Sequence, residues 1–401
     1  MSFDPNEYKN FCEAPFIGIT IDPGGNIMAC CNTFDKQQLA NSHITEVDDL
    51  EEFFKGKQYE RLRKQMTAVG PEGIKNCELC SNAKEGGEAE IKNYWRRAEQ
   101  VFFKPGEPLK LHFLEMTTSN ICNQTCVMCN SYFSTKWKKL EPHFIKSGLA
   151  EYRTVHPTMA YSEESTNKIL KVLPNLKILM IKGGEPFADK NNLKILTRLT
   201  EVNPDCKVSL VSNFQHIPNE WWPVLEKLNN LEVGASVDGI EDTYNWIRGG
   251  DFNKVVQNIE EYYERIESKR PLINGNGFSI CMCISIYNLY NLRATQDYFK
   301  KYQQSFSNVV ERPEYLSPAI VPKHNLLKCI NSQYSYPEQK TMVANNLINI
   351  KQDPHASYRR EKFKIHTNVM NNIRGFDIYD IEQGPSKGRY SIARLKTLFD
   401  E

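Results

Sequence analysis

No stretch of this 401-residue chain stays apolar for the roughly 20 residues that a membrane-spanning helix needs, so no membrane span is expected. Neither sign of charge prevails: 50 Lys and Arg face 49 Asp and Glu, a net charge of +1 with His neutral. A protein that works along phosphate backbones usually carries a basic excess, so nothing global points to nucleic acid. The opening residues Met1 to Glu7 hold neither a basic n-region nor an apolar h-region. No signal peptide is expected, and a cytoplasmic location is. No internal repeat or low-complexity tract stands out. With 40% hydrophobic, 25% charged and 11% aromatic residues, the composition is that of an ordinary globular protein. The length allows one large domain plus one or two smaller ones.

What the chain does hold is cysteine, 12 of them. Without an export signal, a disulfide framework is not the expected use. They also cluster: Cys12, Cys30, Cys31, Cys77 and Cys80 come early, and Cys122, Cys126 and Cys129 share one short loop. Cys206, Cys281, Cys283 and Cys329 are scattered singly or lie in strand-like context. Clustering in a reducing compartment favours metal or redox chemistry.

From about residue 107 onward, apolar extended runs alternate with helical patterns. Leu109 to Met116 is strand-like and leads into the cysteine loop. Leu176 to Ile181 ends in Gly183-Gly184-Glu185-Pro186, Val208 to Val211 in Ser212-Asn213, and Leu231 to Val237 in Asp238-Gly239. Phe278 to Ile286 and a weaker Asn308 to Val310 complete six strands. Phe252, Val255, Val256, Ile259, Tyr262 and Ile266 recur at helical spacing, and Pro218 suits the first turn of a helix carrying Trp221, Val224, Leu225 and Leu228. Strands alternating with helices imply parallel β-α units. The expected fold is α/β, a partial (β/α)6 TIM-type barrel over residues 105–318. Its distinctive residues fall just after the strands, at the rim where barrel active sites sit.

An N-terminal cysteine-rich β-hairpin and helix module is expected over residues 1–104. There Ile17, Ile19 and Ile21 alternate before Asp22-Pro23-Gly24-Gly25, with Ile27 and Ala29 following. Residues 319–401, with weak periodicity and scattered prolines, form an irregular or helical C-terminal extension.

Cys122-Asn-Gln-Thr-Cys126-Val-Met-Cys129 spaces its cysteines C-x3-C-x2-C. Three thiolates this close fit three corners of a [4Fe–4S] cube and leave the fourth iron open to another ligand. A zinc knuckle borrowing a distant ligand is the alternative that spacing alone allows.

The spacing resembles the radical S-adenosylmethionine superfamily, whose hallmark is this loop after the first barrel strand. Gly183-Gly184-Glu185-Pro186 resembles the family's GGEP motif, which holds the methionine amino group of S-adenosylmethionine; Glu185 is a natural acceptor for an ammonium. Asn213 matches a strand-end position near the ribose, and Ser236-Val-Asp238-Gly resembles the family's S-x-D-G segment. Arg248 is placed like the arginine that pairs with the methionine carboxylate. Met128 stands where many members have an aromatic residue that seats the adenine, and a thioether can fill that apolar space. Asn288 either faces the site or caps its strand. The resemblance implies reductive cleavage of S-adenosylmethionine to a 5′-deoxyadenosyl radical that abstracts a substrate hydrogen, with a one-electron reductant such as flavodoxin or ferredoxin.

Cys12, Cys30, Cys77 and Cys80 offer four thiolates, enough for a whole cluster or a zinc site. Cys30 and Cys31, adjacent in a strand, point to opposite faces, and Cys30 is the favoured ligand. The layout resembles the twitch or SPASM modules of the superfamily, here preceding the barrel, which implies a second, auxiliary [4Fe–4S] cluster. Such modules accompany modification of a peptide or protein substrate. Modification of a small molecule or nucleotide, and an electron carrier or scaffold without S-adenosylmethionine chemistry, are the other two readings.

Overall fold

The structure is a computed structural model and describes residues 12–30, 42–70, 73–74, 77, 106–149, 155–270, 277–310, 313–334, 347–381, 395 and 397–399. Its strands are β1 (Gly18–Ile21), β2 (Ile27–Met28), β3 (Phe113–Met116), β4 (Ile178–Ile181), β5 (Lys207–Ser212), β6 (Leu231–Ser236), β7 (Phe278–Ile284) and β8 (Gln303–Val309). They form one sheet in the order β2-β1-β3-β4-β5-β6-β7-β8, which ends at β2 and β8 without closing. The described pairings are parallel except for the β1–β2 hairpin. The fold is thus α/β with an open, partial TIM-type sheet, and β3 to β8 are the six strands expected from the sequence. Four of them start elsewhere than the apolar runs suggested: β3 begins at Phe113, β4 at Ile178, β5 at Lys207, and β8 runs from Gln303.

The chain forms two compact units from interleaved segments. One comprises Met1–Asn120, Thr158–Leu210 and Pro218–Glu232; the other comprises Ile121–Pro157, Val211–Ile217 and Val233–Glu401.

In the first unit the expected hairpin forms, with Thr20 opposite Met28 and Ile21 opposite Ile27. Asp22 closes its turn by accepting from the Asn26 backbone at 2.8 Å, and Gly25 takes the positive φ of 87° that the turn requires. The hairpin is also part of the main sheet: β1 pairs in parallel with β3, from Gly18 opposite Phe113 to Ile21 opposite Met116. Ile19, Ile21, Leu114, Met116, Leu179 and Ile181 are buried. Helices α1 (Ala14–Ile17), α2 (Leu50–Lys55), α3 (Lys57–Val69), α4 (Glu163–Val172) and α5 (Lys190–Val202) belong here. Asp49 caps α2, Ser162 caps α4 and Asp189 caps α5, each accepting a first-turn N–H. The helix opened by Pro218 starts as a 3-10 turn over Asn219–Trp221 and becomes α6 (Trp222–Lys227), burying Trp222, Val224 and Leu225.

In the second unit, α7 (Glu241–Arg248) and α8 (Phe252–Arg265) follow β6. Phe252, Val255, Ile259 and Tyr262 line the buried face of α8, as their spacing requires, and Asp251 caps it. Along β7, Phe278, Ile280, Met282 and Ile284 are buried while Ser279, Cys281 and Cys283 alternate with them half-buried. Parallel sheets are usually covered on both faces, so this face of β7 is the more open one. The C-terminal extension carries α9 (Lys323–Gln333) and α10 (Ala356–Arg374), the latter burying Phe363, His366, Thr367 and Met370. Tyr287 stacks between Trp246 and Phe363, with ring centroids 4.6 and 5.1 Å away. Among the described residues no helix is long and apolar enough to cross a membrane.

Candidate functional site

Cys122, Cys126 and Cys129 lie in the second unit, in a loop that has no helix or strand of its own to shape it. Other groups supply the shape. The Cys129 N–H closes a turn onto the Cys126 carbonyl at 2.9 Å, and Val127 donates to the Ile247 carbonyl at 2.8 Å. Trp137 Nε1 donates to the Cys126 carbonyl at 3.0 Å, and Ser134 Oγ to the Gln124 carbonyl at 2.8 Å. Gln124 in turn donates to the Tyr244 hydroxyl at 2.9 Å. The carbonyls of Gln124 and Cys126 are thus each met by a donor, as buried backbone demands.

Burial pushes the Cys126 thiol up, Asp238 adds to the rise, and the Arg248 guanidinium pulls the other way. Burial also pushes Cys129 well up, and the charges of Cys126 and Cys122 push it further. The three thiols therefore stand close enough to feel one another. As thiols Cys126 and Cys129 keep their protons at neutral pH, and binding to iron would release them. Among the described residues no three His, Cys, Asp or Glu side chains are gathered tightly enough to hold a single metal ion. Three thiolates suit three corners of a four-iron cube, each on its own iron.

Arg248, the last residue of α7, approaches Asp238 at 2.6 Å, an ion pair that is not an aligned hydrogen bond. Its side chain is 11% exposed and that of Asp238 fully buried. Arg248 Nη1 also lies 3.6 Å from Cys126 Sγ. Asp238 accepts from the Cys283 backbone at 2.8 Å, which ties the end of β6 to β7. Asn213, at the end of β5, donates to Asn123 Oδ1 at 2.7 Å and lies 3.9 Å from Cys122 Sγ. Beside it, Phe214 is fully buried with a φ of 54°, strain of the kind held only where packing over-determines it. Ser236 and Met128 are half-buried. Asn288 is a cap: it completes a capping box with Ser285 and donates to the carbonyls of Asp238 and Cys283.

In the first unit, Gly183 has a φ of 124°, and a Cβ there would come within 2.1 Å of Thr117 Cγ2. Gly184 donates to the Ser119 carbonyl at 3.4 Å. Glu185 is 2% exposed and caps the 3-10 turn that begins at Pro186, accepting from Phe187 N at 3.1 Å. Of the N-terminal thiols, Cys12, Cys30 and Cys77 are half-buried, and Cys80 and Cys31 lie outside the described residues.

Sequence reasoning missed Thr125, Gln124, Tyr244, Cys283 and Arg374, all of which shape the cysteine loop or its Asp238–Arg248 pair. The alternation of Phe278, Ile280 and Met282 already placed Cys281 and Cys283 on the less apolar face of their strand. Nothing local marked Arg374.

Residues 116–289 match the Radical SAM superfamily. A radical SAM domain would bind a [4Fe–4S] cluster and S-adenosylmethionine. The chain is similar to anSMEcpe with bound AdoMet, at 19% identity over 56% of this chain and 58% of that one, with a TM-score of 0.39. It is similar to anSMEcpe with bound AdoMet and the Cp18Cys peptide, at 18% identity over 59% of this chain and 61% of that one, TM-score 0.39. Streptococcus suis SuiB bound to precursor peptide SuiA is similar at 11% identity over 96% of this chain and 88% of that one, TM-score 0.37. The match spans less than two thirds of the anSMEcpe chain. No curated protein matches.

Proposed function

We propose that this protein is a radical S-adenosylmethionine enzyme acting on a peptide or protein. The observation that carries the reading is the set of three mutually close thiols with the buried Asp238–Arg248 pair against Cys126. In this reading Cys122, Cys126 and Cys129 hold a [4Fe–4S] cluster with one iron left for the cosubstrate. The chemistry such a cluster supplies when bound is one-electron cleavage of S-adenosylmethionine to a 5′-deoxyadenosyl radical, which takes a hydrogen atom from the substrate.

The protein's share is binding and orientation. Asp238 fixes the Arg248 guanidinium, leaving its planar fork to pair with the methionine carboxylate. Glu185, buried with the backbone of Gly183, Gly184 and Pro186 around it, serves the methionine ammonium. Asn213 and Ser236 serve the ribose, and Met128 packs the adenine. Asp238 acts through Arg248. A one-electron reductant of the flavodoxin or ferredoxin kind feeds the cluster.

Cys12, Cys30, Cys77 and Cys80 hold an auxiliary [4Fe–4S] cluster in a twitch- or SPASM-like module. The peptide substrate rests on the resemblance of that module to those of peptide-modifying members. Anaerobic incubation with S-adenosylmethionine and dithionite should yield 5′-deoxyadenosine, and reconstituted protein should carry about eight irons per chain, twice the complement of one cube. No 5′-deoxyadenosine from iron-loaded protein would leave an electron carrier as the better reading. About four irons plus one zinc would remove only the auxiliary cluster.

A further inference from the structure

The C-terminal helix α10 lies outside the residues that match the radical SAM superfamily, yet its last residue reaches the cysteine loop. Arg374 spends its guanidinium on that loop and on the helix that carries Arg248. Nη1 donates to Thr125 Oγ1 at 2.7 Å, Nη2 to the Thr125 carbonyl at 2.6 Å, and Nε to the Trp246 carbonyl at 2.8 Å. Thr125 sits between Cys122 and Cys126. Trp246 is in the last turn of α7, whose carbonyl end favours a cation.

Two further features serve the contact. Gly249, which ends α7 with a φ of 64°, leaves the room: a Cβ there would lie 2.4 Å from Thr125 Oγ1 and 2.6 Å from Arg374 Nη1. Asn371, one turn earlier on α10, accepts from Trp246 Nε1 at 3.0 Å and so fixes the helix that presents Arg374. Three hydrogen bonds from one guanidinium, two of them to main-chain carbonyls, make a clamp that a lysine's point charge cannot reproduce.

The clamp also brings charge. Burial lowers Arg374 only to about 10, with Cys126 pulling it upward, so it stays cationic at neutral pH. A cation here favours the form with one more electron nearby, since the added negative charge is stabilised where solvent screens it little.

We propose that Arg374 is a positioning residue for the cysteine loop: it holds Thr125, and with it the Cys122–Cys126 segment, and it biases a bound cluster toward its reduced state. This rests on Cys122, Cys126 and Cys129 being cluster ligands. Its test uses the full chain, anaerobically reconstituted. The midpoint potential is read for the EPR signal that S-adenosylmethionine perturbs, alongside iron released to a chelator over time.

Arg374→Gln should move that potential to a more negative value and release iron several-fold faster. Arg374→Lys should restore the potential toward wild type while iron release stays fast, a split that a purely structural residue would not produce. A wild-type potential in Arg374→Gln overturns the electrostatic role. Should Arg374→Gln not fold, Thr125→Val keeps the charge and removes one acceptor. It should release iron faster at an unchanged potential, and wild-type release overturns the positioning role. Wild-type protein with no signal responsive to S-adenosylmethionine would instead overturn the ligand assignment beneath the proposal.

Discussion

Two loops carry most of the chemistry assigned to this chain, and they are held in different ways. In the first unit, the turn at Gly183 to Pro186 is shaped by backbone geometry. A left-handed glycine with no room for a Cβ is followed by a carboxylate that caps the next turn. In the second unit, the loop from Cys122 to Cys129 is shaped by groups outside it, most of them far along the chain. Trp137, Tyr244, Ile247 and Arg374 each meet it. A turn set mainly by the backbone of its own glycines depends little on distant elements, whereas a loop held by remote hydrogen-bond partners is only as ordered as the elements that bring them.

The sharpest test of that contrast is Asp238→Ala. It leaves the Arg248 guanidinium buried without its counter-charge and the Cys283 N–H without its acceptor. Losing one partner of a buried pair costs about 3–5 kcal/mol. Chemical denaturation should show that loss, and a cost below about 1 kcal/mol would mean the pair is solvated.

Next in size is Gly183→Ala, which forces a Cβ into Thr117 and an alanine into a backbone region it avoids. Overpacking and strain together should cost about 2–4 kcal/mol. If the turn is as self-contained as its geometry says, chelator release of iron should stay at the wild-type rate in any folded fraction. Faster iron loss would break the contrast.

The smallest effect concerns pH. His366 on α10 is fully buried, hydrogen-bonded to the Tyr287 hydroxyl at 2.9 Å, and burial pushes its pKa down to about 3. The unfolded chain takes up the proton near pH 6.5 and the folded chain does not, so stability falls as pH drops below 6.5. At pH 5 this amounts to about 2 kcal/mol. His366→Gln should flatten that part of the stability profile, measured by denaturant titration between pH 7.5 and pH 5. An equally steep profile would place the acid sensitivity elsewhere.

The sequence by itself determined what depends on neighbours along the chain. The hairpin of Ile19, Ile21 and Ile27 around Asp22 to Gly25 was legible because a period of two and a tight turn are local properties, although Ile17 went to α1 and Ala29 lies past β2. The face of α8 followed from residues three and four apart, and the strand-end positions of Gly183, Asn213 and Asp238 followed from the β-α rhythm. Tertiary structure decided what depends on partners chosen in space. The hairpin strand β1 joined β3, 95 residues away at Thr20 and Glu115, through backbone hydrogen bonds that carry no side-chain signature. Asn288 proved to be a cap once both of its acceptors, at the ends of β6 and β7, were in place. Arg374 reached Thr125 across 249 residues because the ends of α7 and α10 meet through Trp246 and Gly249 leaves a gap there. A hydrogen bond depends only on where its donor and acceptor end up, so its distance along the chain leaves no pattern to read.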